Sequence, residues 1–162
     1  MHTIPLHDGY IPKVGAKVMS LQEPEKKMSK SDTNANAVVR MLDEPDVIMK
    51  KFKRAVTDSD NCVRADETKP GVTNLMSIYS ACTGKSFEEI EREFEGKGYG
   101  DFKTAVGESV VAVLRPVQDE YHRILADKEY LDDILKQGAE KANAAAAKML
   151  RKVYKKVGFL SL

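Results

Sequence analysis

Residues 26–32 read Lys26-Lys27-Met28-Ser29-Lys30-Ser31-Asp32 and are the sharpest chemical feature of the chain. Three ammonium groups and two hydroxyls fall within seven positions. Lysines can offset the negative charge that builds on polyphosphate oxygens as a phosphoryl bond breaks, and serines can donate hydrogen bonds to the same oxygens. The residue types therefore point to phosphate chemistry. Most lysine-rich loops are only solvated surface, so the surrounding segments must decide between the two readings.

Other chemistry-bearing residues fall into weaker groups. Lys148, Arg151, Lys152, Lys155 and Lys156 share one face of a C-terminal helix, with Met149, Val153 and Val157 opposite. Such a face suits a nucleic-acid backbone, and equally suits solvent while complementing the helix dipole. Lys50, Lys51, Lys53 and Arg54 form a second cluster with the same two readings. Gly96-Lys97-Gly98-Tyr99-Gly100 has glycines in phosphate-loop spacing, but no strand precedes it, so it reads as a turn between helices. Cys62 and Cys82 match no metal-ligand spacing and read as reduced, mostly buried thiols. His2, His7 and His122 are isolated, which favours structural or surface roles. No metal site is predicted.

These groups need elements to hold them. The chain has 162 residues, with 42% hydrophobic and 31% charged side chains, a balance that can build one ordinary domain or a smaller domain plus part of another. A formal net charge of +1 makes any nucleic-acid contact a matter of local clusters. No apolar run approaches the roughly 20 residues of a membrane span, and no signal-like segment opens the chain, so the cytoplasm is the expected setting.

Val14–Leu21 carries apolar residues on both alternating faces and reads as a strand covered on both sides. A lone strand cannot stand, so its sheet is expected from residues outside this chain. Gln22–Asn36 is a polar loop. From Ala37 the pattern turns helical. Val38, Val39 and Leu42 start a short helix; Asp43 caps a second, with Pro45 in its first turn. A third runs from about Thr73 to Cys82 and stops at Gly84. Ser86-Phe87-Glu88-Glu89 is a capping box that opens a fourth, closed by Gly96. Two long helices follow. One has a stripe of Phe102, Val106, Val110, Val113, Val117, Tyr121 and Ile124; the other runs from Leu131 through Val157 to Gly158. The fold class is mainly α: a helical bundle preceded by a remnant strand and loop.

Lys27–Ser31 is identical to the second signature motif of the class I aminoacyl-tRNA synthetases, placed after a strand and before a helical region. The flanks resemble the tryptophanyl branch of that family. They include Ile11-Pro12-Lys13-Val14-Gly15-Ala16-Lys17-Val18, Arg54-Ala55-Val56-Thr57-Asp58, Lys69-Pro70-Gly71-Val72-Thr73-Asn74-Leu75, Gly98-Tyr99-Gly100-Asp101-Phe102 and Leu114-Arg115-Pro116. Tyrosyl relatives usually carry Phe-Gly in the middle of the motif, which disfavours that sibling. The resemblance runs from about Ile11 to the C-terminus. It lacks the family's first, His-Ile-Gly-His-type signature, most strands of its Rossmann-like nucleotide fold, and its tryptophan pocket.

The resemblance implies that residues 1–36 are the end of a catalytic nucleotide-binding domain and residues 37–162 a helical, tRNA anticodon-binding domain. It implies that Lys27 and Lys30 bind the ATP triphosphate and stabilise departing pyrophosphate, with Ser29 and Ser31 adding hydrogen bonds. Met28 and Val18 would lie near the adenine. Lys50, Lys51, Arg54, Lys148, Arg151, Lys152, Lys155 and Lys156 are the candidates for tRNA contact. The intact enzyme would use ATP, Mg²⁺ and L-tryptophan to charge tRNA(Trp), as a homodimer. This chain alone would be nearly inactive, would hold no cofactor tightly, and could be monomeric. The other reading is a stand-alone helical RNA-binding or interaction module without catalysis.

Overall fold

A computed structural model describes residues 15–159. Among the described residues there are five helices: α1 (Pro45–Lys53), α2 (Pro70–Thr83), α3 (Phe87–Glu93), α4 (Tyr99–Ala126) and α5 (Lys128–Val157). Of the described residues, 15–118 form one compact unit and 119–159 another.

The core of the first unit joins all of its helices. Ile48 and Phe52 of α1, Val72, Leu75 and Met76 of α2, Ile90 of α3, and Phe102 and Val106 of α4 are fully buried together. Tyr79, Phe94 and Phe102 pack edge to face, with ring centroids 5.0 to 6.3 Å apart. That geometry sets the positive edge of one ring against the negative face of the next. Gly71 lets α2 approach the segment after α1. A Cβ there would lie 2.2 Å from the Val56 carbonyl oxygen, closer than real Cβ atoms come.

Local signals close several elements as expected. Ser86 Oγ accepts from the Glu89 amide while Glu89 accepts from the Ser86 amide, completing the capping box of α3. Gly84 and Gly158 end α2 and α5 in the left-handed region at φ 77° and 78°. Helix α2 begins at Pro70, three residues before the position predicted, because Pro suits the first turn of a helix.

Five expectations are corrected. Residues 37–44 form no helix. Two of their backbone groups are taken by side chains instead: Lys51 Nζ donates to the Val38 carbonyl, and the Arg40 amide donates to Asp43 Oδ2. Asp43 is therefore occupied, and the N-cap of α1 is Glu44, which makes no side-chain cap bond. Val14–Leu21 forms no named strand among the described residues; only a single antiparallel bridge joins Met19 to Lys27. Val14 itself lies outside the described residues. Cys62 is exposed rather than buried, while Cys82 is half-buried and burial pushes its thiol above the usual range. Finally, Val113, Val117 and Tyr121 of the predicted α4 stripe are exposed, and no residue of α5 is buried.

In the second unit, Asp127 caps α5 by accepting from the Tyr130 amide at 3.0 Å. Arg123 makes a two-pronged ion pair with Glu120 and sits over the Tyr130 ring. No described helix is long and apolar enough to cross a membrane.

Candidate functional site

The lysine–serine loop returns along the segment that leads into it. The Ser20 amide donates to the Lys26 carbonyl at 2.9 Å and the Met28 amide to the Val18 carbonyl at 3.0 Å. These bonds flank the Met19–Lys27 bridge, so that pair is of the non-hydrogen-bonded kind and Met19 turns its own N–H and C=O to the opposite side. There the Asn74 side chain of α2 meets both. The Met19 amide donates to Asn74 Oδ1 at 2.9 Å, and Asn74 Nδ2 donates to the Met19 carbonyl at 2.9 Å.

Next in sequence, the Leu21 amide donates to the Ala37 carbonyl and the Val56 amide to the Leu21 carbonyl. Gln22 Nε2 reaches the Arg54 carbonyl at 2.8 Å. Leu21 itself is buried in the core. The approach to the loop is thus tied to the segment after α1 and to α2.

The loop divides by side-chain type. Val18 and Met28 are half-buried and pack against the helical core. Lys27, Ser29, Lys30 and Ser31 are exposed. The Ser29 and Ser31 hydroxyls are 3.0 Å apart, and the Asp32 amide donates to the Ser29 carbonyl. Asp32 and Asn34 then accept from amides two residues on, so Asx turns carry the chain away. Lys26 is paired with Glu23, and that bond raises its pKa. Two lysines and two hydroxyls therefore face outward from a backbone anchored on its apolar side. The arrangement can receive an anion with several oxygens.

The basic clusters fare differently from each other. Lys50, Lys53 and Arg54 are exposed at the end of α1. Lys51 is not part of that surface: it is 5% exposed, 2.5 Å from Asp43 Oδ2 and 2.8 Å from the Val38 oxygen. Its inclusion among cationic contacts is corrected, because a helix turns 100° per residue and position 51 faces inward with Ile48 and Phe52. Lys148, Arg151, Lys152, Lys155 and Lys156 are exposed along α5. Among the described residues no group of His, Cys, Asp and Glu could hold a metal ion.

The profile of the family "tRNA synthetases class I (W and Y)" matches residues 5–115, more than half of the sequence and the whole of this loop with its support. The chain belongs to that family. Within it, the chain is 57% identical over 149 residues to the tryptophan–tRNA ligase of Bacillus anthracis, covering 91% of this chain and 45% of the relative. The crystal structure of tryptophanyl-tRNA synthetase from Mycoplasma pneumoniae superimposes with a TM-score of 0.79 at 34% identity, over 93% of this chain and 46% of that one. The Campylobacter jejuni tryptophanyl-tRNA synthetase complexed with ADP and tryptophan does so at 0.66 and 27% identity, over 88% and 44%. This synthetase chain thus spans about half the length of the curated relatives it matches.

Asn74 had no place among the site residues read from sequence. One signal was available: it is the single amide side chain in Val72–Tyr79, a stretch of α2 otherwise made of apolar, hydroxyl-bearing and aromatic residues, and it is buried there.

Proposed function

We propose that this chain is the C-terminal half of a tryptophan–tRNA ligase. The observation that carries the reading is the outward-facing Lys27–Ser31 loop, anchored on a helical core in a chain whose similar proteins are tryptophan–tRNA ligases. Residues 1–36 complete a catalytic domain and residues 37–162 form the tRNA-binding helical domain.

In the first reaction the tryptophan carboxylate attacks the α-phosphorus of ATP, and pyrophosphate departs. Charge grows on the departing oxygens. Lys27 and Lys30 stabilise it, Ser29 and Ser31 donate hydrogen bonds, and Val18 and Met28 border the adenine. Holding both substrates in line supplies the rest of the acceleration, and no covalent enzyme intermediate is needed. Mg²⁺ enters with the ATP substrate of the intact enzyme. The aminoacyl group then passes to the terminal ribose of tRNA(Trp). Lys50, Arg54, Lys148, Arg151, Lys152, Lys155 and Lys156 supply backbone contacts. The intact enzyme works in the cytoplasm as a homodimer.

Tryptophan-dependent ATP–pyrophosphate exchange tests the reading. The full-length protein should exchange with tryptophan and not tyrosine, and Lys30→Ala should lower its rate at least 100-fold. This chain alone should be nearly inactive. Full exchange by the isolated chain would refute the assignment as half of a catalytic unit.

A further inference from the structure

We propose that Asn74 is a positioning residue for the lysine–serine loop, acting in place of a third β-strand. The inference rests on the polyphosphate reading of Lys27 and Lys30. Met19 faces Lys27 across the bridge with its polar groups turned away, toward the edge where a neighbouring strand would pair. At that edge Asn74 supplies one acceptor and one donor, both at 2.9 Å. A primary amide carries the same donor–acceptor pair as a peptide unit, so it can close an edge that would otherwise leave two backbone groups unsatisfied. The amide orientation follows from the bonding, since a flipped Asn74 would set donor against donor and oxygen against oxygen.

The clasp links the loop to a rigid body. Asn74 is 5% exposed, and its neighbours Val72, Leu75 and Met76 are fully buried in the core. The same helix touches the loop's approach by a second route. Gly71 lies against the Val56 carbonyl, and the Val56 amide holds the Leu21 carbonyl at 2.8 Å. Lys27 and Lys30 are themselves exposed, so the backbone around Met19 decides where their ammonium groups stand. Any shift of α2 relative to the nucleotide would carry the loop with it.

Aspartate is the informative substitution. An ionised carboxylate presents only acceptors and repels the Met19 carbonyl, whereas a protonated one again offers one donor and one acceptor. Burial beside a carbonyl favours the protonated form. The proposal predicts that acid rescues Asn74→Asp.

The test uses the full-length ligase, with rates counted per active site by burst titration. Asn74→Ala and Asn74→Asp at pH 8 should lower the exchange rate about 10- to 100-fold, the scale of a misplacement near 1 Å, with the KM for tryptophan unchanged. Trypsin should cut at Lys27 and Lys30 faster in both variants, with other sites unchanged. Asn74→Asp should regain rate relative to wild type between about pH 8 and pH 6, as its carboxyl takes up a proton. Rates within twofold of wild type for Asn74→Ala, beside a crippled Lys30→Ala enzyme, would overturn the positioning role and leave the phosphate reading standing. An unaffected Lys30→Ala enzyme would remove the phosphate reading and this inference with it. If Asn74→Ala does not fold, the Asn74→Asp profile decides alone, and a flat one overturns the proposal.

Discussion

The Lys51 ammonium lies 2.5 Å from the Asp43 carboxylate and 2.8 Å from the Val38 carbonyl, and it is nearly sealed from solvent. One lysine of a basic run thus pins the irregular segment 37–44 onto α1. That segment separates the lysine–serine loop from the first helix, and the pin replaces the hydrogen bonds a helix would have made.

Removing the pin should be costly. Lys51→Met leaves a largely buried carboxylate and a buried carbonyl without their cation, so unfolding free energy should fall by about 3 kcal/mol. Lys50→Ala should be nearly neutral for stability. The two should differ in the opposite sense in RNA binding. On the surface reading of Lys50, its loss lowers the slope of log affinity for tRNA against log salt by about 1, while folded Lys51→Met keeps the slope. Denaturant titration and salt-series binding measure the pair.

Gly71 and Gly138 should respond oppositely to alanine. At Gly71 the new Cβ would meet the Val56 oxygen at 2.2 Å, backbone that cannot swing away. A loss of about 2 kcal/mol or more is expected, as for other overpacked sites. Gly138 stands inside α5 with nothing within 4 Å. Alanine there should stabilise the helix by roughly 0.5–1 kcal/mol, by lowering the entropy lost on folding. Melting of the two variants checks both signs.

Acid should loosen the knot around Asp58. Burial opposes ionisation of this carboxyl, but the Tyr99 hydroxyl, the Asp60 amide and the Lys69 ammonium outweigh it and lower its pKa. A lowered folded pKa means the unfolded chain takes up the proton first as pH falls. The contribution of Asp58 is therefore fully present above its ordinary value of 3.8 and drains away as pH drops through the lower folded value. Tyr99→Phe removes the 2.7 Å bond to Asp58 and should cost about 1 kcal/mol at neutral pH. It should also make the acid limb shallower. Urea midpoints at pH 6, 4 and 3 for the two proteins give the comparison.

The capping box of α3 offers a local test. Ser86→Ala should lower stability by about 1 kcal/mol, and Ser86→Gly by less.

Features that close within a few residues were legible in the sequence. The Ser86–Glu89 box, the stops at Gly84 and Gly158, and five of the six expected helices follow from spacings of three and four, since capping and apolar periodicity are local physics, while the helix expected from Val38 does not form. The composition of residues 26–32 makes them candidates for phosphate contact, because charge and donor count belong to residue type; the same composition also suits a solvated loop. Tertiary structure decided which polar group meets which. Asn74 closes the Met19 edge from 55 positions away, and Lys51, alone among four neighbouring cations, is drawn inward by Asp43 and Val38. The exposure of Val113 and Val117 belongs here too, since an apolar stripe states a preference for burial but does not supply the surface that would bury it. A buried polar group must find its partner wherever the packed chain places one, and spacing along the sequence holds no record of that distance.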